Sequence, residues 1–342
     1  MNKKKVVVGF SGGKDSTASI IILKEKGYNV SALTMKLGLI GEDEKLKKVR
    51  KLSEILEVPH KIIDLRDEFE KRVVKYFTDS YKIGLTPNPC VVCNNRIKFE
   101  LLMDFGIKNM ESDFFATGHY ADKIEIDGKY FLKEPIEKKK SQIYFLSMIG
   151  GERLKNVLFP ISSISLDKVR KTVEDMPLGN SKESQDVCFL NGYKLLDYFK
   201  KYMPAFIREG DILDMSGEKI GHHNGSIKFT VGQRRGTGFS SSGKLYVVKK
   251  DVKSNTITLG NESELYSDGF EIRDPVMWKE IKRGGYYKAR IRYMSKFEDI
   301  KVVDVSFNSI KVEFYSPVKS VTSGQVGVLF QDDIIVASGF II

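Results

Sequence analysis

Two groups of residues in this chain have types and spacings that could do chemistry. The first is Ser11-Gly12-Gly13-Lys14-Asp15-Ser16, which follows the apolar run at 6–10. Its glycines let the backbone approach an anion closely. The N–H groups of the loop and of the next helix then point at phosphate. Ser11 and Ser16 add hydroxyl donors, Lys14 a charge, and Asp15 a carboxylate for magnesium. The spacing is neither the P-loop G-x-x-x-x-G-K-[ST] nor the dinucleotide pattern G-x-G-x-x-G. The second group is the three cysteines, Cys90, Cys93 and Cys188. An odd, sparse count argues against a disulfide framework and for metal or thiol chemistry. Cys90 and Cys93 follow Leu85-Thr86-Pro87-Asn88-Pro89, a loop that two prolines stiffen. The helical pattern over 94–106 predicts Cys93 at or next to a helix N-terminus. There the dipole favours the thiolate, which is the reactive form. Cys188, taken alone, reads as a buried and inert thiol.

These residues need elements to hold them. The unbroken apolar run at 6–10 predicts a strand buried on both faces. A helix is predicted over 16–26, stopped by Gly27, and further strands over 30–35, 62–65 and 114–117. Residues 42–56 form an amphipathic helix with Leu46, Val49, Leu52, Ile55 and Leu56 on one face, and 69–83 another helix. This alternation predicts an α/β unit with a parallel sheet and ligands at the carboxyl ends of its strands. From Gly210 onward short β-branched runs replace helical patterns. Strands are predicted over 227–231, 245–248, 256–259, 287–293, 301–305, 310–314, 326–330 and 334–341. Such a region suits two small barrels or sandwiches. His222-His223, beside Asn224-Gly225, reads as a turn rather than a metal site.

Composition narrows the class. The 342 residues carry a net charge of +11, an excess that favours a polyanionic partner. With 41% hydrophobic and 30% charged residues the chain is globular rather than disordered. No apolar run is long enough to span a bilayer, and the one at 6–10 is too short for a signal-peptide core. The expectation is a cytoplasmic protein with no membrane partner. Between Lys279 and Lys296 there are seven basic residues and one acidic, with Tyr286, Tyr287 and Tyr293 interleaved. Strand alternation predicts Arg290 and Arg292 on one face. Arginine suits phosphate contact and tyrosine suits base stacking.

The Ser11–Ser16 loop resembles that of the PP-loop ATP-pyrophosphatase superfamily, whose members adenylate a carbonyl oxygen. Six further strings are similar to signatures of one of its families, the tRNA 2-thiouridylases (MnmA family). They are Thr86-Pro87-Asn88-Pro89 with Cys93-Asn94 and Ile97-Lys98-Phe99; Ala116-Thr117-Gly118-His119-Tyr120-Ala121; Glu183-Ser184-Gln185-Asp186-Val187-Cys188-Phe189; Thr230-Val231-Gly232-Gln233-Arg234; Ala289-Arg290-Ile291-Arg292-Tyr293; and Val321-Thr322-Ser323-Gly324-Gln325. They cover nearly the whole chain in the family's order.

The resemblance implies a PP-loop (adenine-nucleotide α-hydrolase-like) ATP-binding domain over 1–192. A small β-rich domain over 193–268 and a β-barrel-like tRNA-binding domain over 269–342 would follow. It implies ATP-dependent 2-thiolation of the wobble uridine. Gly9, Phe10, Ser11, Gly12, Gly13, Lys14, Asp15 and Ser16 would bind ATP, with Met35 and Gly118 lining the adenosine. Cys93 would be the nucleophile, and Cys188 would carry a persulfide from a sulfur donor. Asn88, Pro89 and Cys90 would face the target base. His119, Lys140, Ser141, Gln142, Arg292, Tyr293 and Gln325 would touch tRNA. The chain departs from the family at Lys14 and Thr17, usually valine and serine. It departs also at Ser141, in a pattern usually Asp-Gln-Ser-Tyr, and at Cys90, usually aspartate. Cys90 leaves two readings open. The three thiolates hold a 4Fe–4S cluster whose open iron binds sulfide, or Cys90 is a bystander to a two-cysteine persulfide mechanism. Two other functions are weighed beside these. Another PP-loop ligase would need no paired cysteines, and a non-catalytic tRNA-binding protein would need no intact loop.

Overall fold

Val6, Val7 and Val8 of strand β1 (Lys5–Gly9) are fully buried in the computed structural model, which describes residues 3–178, 187–190, 192–240 and 243–342. Val7 packs in a cluster with Phe99, Leu102 and Phe115, whereas Val6 and Val8 pack with Ile20, Val49 and Leu52. A core on each side of the sheet is what makes the strand apolar without a break. β1 pairs in parallel with β2 (Asn29–Lys36) on one side and β4 (Phe114–Thr117) on the other. β3 (His60–Asp64) flanks β2, and the short strand Val157–Leu158 flanks β4. Helix α1 (Lys14–Glu25) follows β1, and α2 (Glu42–Ile55) follows β2. The chain winds outward from β1 to β3, then returns to β1's other edge. The β1/β4 boundary is therefore a topological switch point, with a crevice at its carboxyl end.

Strand β4 has the bounds expected of it. One residue of α2 does not behave as expected. Leu46, Val49, Leu52 and Leu56 are buried, but Ile55 is 47% exposed. Leu52 and Leu56, one turn apart, already fill the inward face, and Ile55 lies about 100° round the axis from Leu56.

A hairpin the sequence reading missed, β5 (Asp122–Ile126) and β6 (Lys129–Lys133), follows β4. Further on, Glu209–Leu213, Lys219–Asn224, Tyr246–Asp251 and Thr256–Gly260 form a four-stranded sheet. His222 and His223 thus lie in a strand, not a turn. The strand expected over 227–231 is instead the 3₁₀ turn Ser226–Lys228, from which Ile227 and Phe229 plunge into the core. The six strands from Tyr266–Met277 to Ile334–Ile341 close into a barrel, because the first pairs with the last. Hairpin β5–β6 adds to that barrel through Lys133 opposite Ile334. Apolar packing also crosses the junction: Trp278, Val326 and Phe330 of the barrel share a cluster with Phe131, Tyr144 and Phe115. Among the described residues no helix is long and apolar enough to cross a membrane.

Candidate active site

The loop after β1 is stitched by its own hydroxyls. Ser16 Oγ lies 3.1 Å from Ser11 Oγ and donates to Gly13 O at 3.0 Å, while Ser11 N donates back to Ser16 Oγ at 3.3 Å. Gly12 has φ +72°, and a Cβ there would meet Val49 Cγ2 at 2.8 Å. The turn therefore demands glycine. Across the switch point, Gly118 follows β4. A Cβ on it would lie 2.6 Å from the Asp15 carbonyl carbon and 2.7 Å from Ser16 N. The two loops thus touch backbone to backbone. Tyr120 OH ties them further by donating to Asp15 Oδ1 at 3.0 Å.

Between the loops opens a cavity of about 220 Å³. Gly9, Phe10, Ser11, Gly13, Lys14, Asp15 and Ser16 line it, with Met35 on one wall and Gly118, His119 and Gln142 on another. Gly12 stands behind the wall, against α2. The cavity also has residues not singled out from sequence. Lys45 and Lys98 add charge. Glu42 braces the rim, its carboxylate accepting from Leu37 N at 2.8 Å and Gly38 N at 2.7 Å. Glu42 offered no motif to find it by; Lys98 stood inside a quoted string but had no role. His119 sits 2.9 Å from Thr117 Oγ1, and burial, aided by the Lys98 charge, holds its pKa well below the usual histidine value. For magnesium, the donor set is the Asp15 carboxylate beside the Ser11 and Ser16 hydroxyls. These are hard oxygens of the kind that complete a magnesium shell together with phosphate.

The cysteine loop enters a helix earlier than its pattern suggested. Asn88 Oδ1 accepts from Val91 N at 3.3 Å, and Pro89 takes the first helical position. Cys93 therefore sits a turn inside the helix, not at its start. That corrects the expectation of a dipole-activated thiol: burial pushes Cys93 up to about 12, with Lys98 opposing. Cys90 and Cys188 keep surface exposure, yet the protein around their sulfurs raises both, again against Lys98. Cys188 is thus not the buried residue expected of it in isolation. Its turn, Cys188–Leu190, is anchored by Phe189 and Leu190 in the same apolar cluster that Cys93 packs against. The field of Cys188 reaches both Cys90 and Cys93, so the three thiols share one neighbourhood. They do not form a ready ligand set. Among the described residues no three His, Cys, Asp or Glu side chains converge on a metal position, and the arrangement does not fit the 4Fe–4S reading as it stands. Glu183 to Asp186, which precede Cys188 in its string, lie outside the described residues.

The barrel closes over the cysteine loop. Gln325 Nε2 donates to Thr86 O at 2.8 Å, and Thr86 N donates to Ser323 O at 2.9 Å. Tyr293 packs on Phe145 with ring centres 4.4 Å apart, and Tyr144 OH donates to Val326 O at 3.0 Å. Burial raises the Tyr144 phenol's pKa, and Asn88 and the Arg292 charge are near enough to oppose it. Tyr293 and Arg292 thus lie near Tyr144, and Gln325 lies against the loop that carries Asn88. Other residues assigned to tRNA are turned inward. Pro89 and Ser141 are buried, and Gln142 Oε1 accepts from Tyr120 N at 2.9 Å. Lys140 ends the basic turn Lys138–Lys140. Arg290 and Arg292 do not share a strand face. The strand ends at Arg290, whose guanidinium turns in to Glu134 at 3.0 Å and stacks over Phe297 at 4.0 Å.

Comparison with known proteins follows the three-part layout. Residues 4–192 match the family model described as tRNA methyl transferase HUP domain, 196–261 its PRC-barrel domain, and 267–341 an aminomethyltransferase beta-barrel domain. The chain is 35% identical to the tRNA-specific 2-thiouridylase MnmA of Acetivibrio thermocellus, over 100% of both chains. It is 34% identical to the protein of that name from Treponema denticola, over 98% of this chain and 97% of the other. With that of Clostridium acetobutylicum it shares 30% identity over 99% of each.

Proposed function

The chain belongs to the family of tRNA-specific 2-thiouridylases, and from that membership we propose that it converts the wobble uridine of tRNA to 2-thiouridine. It is an enzyme of tRNA thiolation that uses ATP. The observation that best supports the finer reading is a single junction. The phosphate loop, His119 and Lys98 line one cavity, and all three thiols feel the charge of that same lysine.

In this reading residues 1–192 bind ATP and carry the chemistry, 193–268 form a central β-rich unit, and 269–342 hold tRNA. The uridine leaves its stack to lie by Asn88, with Arg292, Tyr293 and Gln325 against the tRNA. The Ser11–Ser16 backbone and Lys14 hold the phosphates, with Met35 and Gly118 against the adenosine. Magnesium, when bound at Asp15, supplies charge that neutralises the departing pyrophosphate. The C2 oxygen of uridine attacks the α-phosphate, and pyrophosphate leaves. Cys188 carries a persulfide loaded by a sulfur donor. The minor thiolate form of Cys93, its proton given up to solvent, attacks the Cys188 sulfur; the S–S bond breaks, and its electron pair leaves with the terminal sulfur as hydrosulfide. A Cys93–Cys188 disulfide forms in its place. Hydrosulfide adds to C2, and AMP departs with the C–O electron pair.

The test is a reaction of protein, ATP, magnesium, tRNA and a persulfide donor, with pyrophosphate and 2-thiouridine both measured. Cys93→Ala and Cys188→Ala are each expected to release pyrophosphate but form no 2-thiouridine. Thiolation that survives Cys93→Ala would remove Cys93 from the sulfur transfer, whereas pyrophosphate release with no 2-thiouridine from the unaltered protein, unaffected by Cys93→Ala, would move the protein to another PP-loop ligase chemistry. Absence of tRNA-dependent pyrophosphate release from the unaltered protein would leave only a binding role. Cys90→Ser is expected to stay active. Joint loss of iron, visible absorption and activity in that variant would restore the cluster reading.

A further inference from the structure

Lys98 lies on the wall of the nucleotide cavity and on the same helix as Cys93. In an α-helix, a residue five positions on is turned roughly 140° away. The Asn94–Leu102 segment instead bonds each residue to the fifth, and this wider turn carries residue 98 back toward the Cys93 face. Ile97 and Phe99 on either side are fully buried, which fixes the backbone from which Lys98 reaches into the cavity. Its charge acts on Cys90, Cys93, Cys188 and His119, whereas that of Lys45, the other added lysine, acts among the thiols on Cys188. Glu100, the nearest carboxylate in sequence, is taken by Arg72 at 2.6 Å and Arg96 at 3.4 Å. Among the described residues Lys98 has no carboxylate partner.

A cation placed between a phosphate cradle and three thiols has two anions to serve. The phosphates already have Lys14, the loop N–H groups and Lys45 on the cavity wall. Among the described residues, no other positive group acts on all three thiols. We infer that Lys98 is a further catalytic residue, whose ammonium holds the hydrosulfide anion released from the Cys188 persulfide and delivers it to the adenylated C2 carbon. The inference rests on the thiolation reading. When Cys93 displaces the terminal sulfur, the negative charge moves from Cys93 to hydrosulfide, and Lys98 stays within reach of both. When hydrosulfide adds to C2, the charge passes to the AMP phosphate, which leaves into the cavity that Lys98 also lines. A preplaced charge of this kind costs no reorganisation at the moment of reaction.

The experiment compares unaltered enzyme, Lys98→Met and Lys98→Arg, each preloaded with persulfide and mixed with ATP, magnesium and tRNA for a single turnover. Methionine keeps the length of the side chain without its charge. Lys98→Met is expected to release pyrophosphate within about threefold of the unaltered rate while 2-thiouridine formation falls roughly 100- to 1,000-fold. Lys98→Arg should recover most of the thiolation. Undiminished thiolation in Lys98→Met would overturn the inference. So would an equal fall of both products, which marks a nucleotide ligand or a damaged fold. So would an arginine variant that keeps the far-ultraviolet circular dichroism of the parent but does not recover. If the unaltered enzyme releases pyrophosphate and forms no 2-thiouridine, the thiolation reading itself falls, and the role of Lys98 with it.

Discussion

At the scale of single residues, the site is governed by close approach and by burial. Gly118 shows the first. Alanine there would press on the backbone of Asp15 and Ser16. Gly118→Ala is expected to cost about 1–3 kcal/mol in stability and to slow pyrophosphate release roughly a hundredfold, since a shift of the loop misplaces the phosphates. A variant with the parent's rate would show that the two loops do not act as one cradle. Burial decides the thiols. With Cys93 held near 12, the protonated form dominates at every pH below that value, and reactivity rises with pH. Iodoacetamide at neutral pH should therefore label exposed Cys90 and Cys188 before Cys93. The Cys93 rate should still be climbing at pH 10, as peptide mass spectrometry would record. Early, pH-insensitive labelling of Cys93 would mean a thiolate already present. The residue types of this site were legible in the sequence; their surroundings were not. The Cys90-to-Asn94 string announces thiol chemistry, but Cys93's burial depends on packing against Phe189 and its neighbours, far along the chain.

At the scale of elements, the α/β half was legible because its signal is local. β4 needs only its own apolar run and flanking turns. The β half was harder. Hairpin β5–β6 carried a usable mark, Asp127-Gly128 with both φ positive (+51° and +74°), which is the turn that two-residue hairpins favour. The strand Tyr266–Met277 had no such mark. It mixes polar residues with Pro275, and it is a strand because barrel closure pairs it on both sides. Near the hairpin, Glu134 and Arg290 form a buried pair between the first unit and the barrel, with side chains 3% and 16% exposed. Both Glu134 oxygens and Arg290 Nε lack an aligned hydrogen-bond partner. The pair is thus held by charge alone. Glu134→Ala, which strands the arginine, should lower stability by roughly 3–5 kcal/mol, whereas Glu134→Met with Arg290→Met should come out near neutral or better. Denaturant midpoints would decide, and equal losses in both would show that the pair itself stabilises the junction.

At the scale of the whole molecule, the net charge of +11 and the barrel's exposed Arg292 are what the proposed function sets against tRNA. Arg292 is exposed, with Nη2 donating to Lys319 O at 3.3 Å. If it takes a phosphate, Arg292→Ala should weaken tRNA binding and reduce the magnitude of the logarithmic salt slope by somewhat under one. Titrations at several salt concentrations would show it, and a weaker affinity with an unchanged slope would remove the phosphate contact. The junction between the units has a different kind of consequence. Ser338 Oγ donates to Ser147 O across 191 residues of sequence, and hairpin β5–β6 finishes its pairing only on the strand Ile334–Ile341. While the chain is being made, the sheet with the phosphate loop can form early, but its hairpin edge and the apolar wall under Trp278 must wait for that late strand. The waiting edge is the kind of surface that chaperones cover. The nascent enzyme should therefore be most prone to aggregate while the barrel is still inside the ribosome, and a stop ahead of Ile334 should leave material that precipitates rather than a smaller working ATPase.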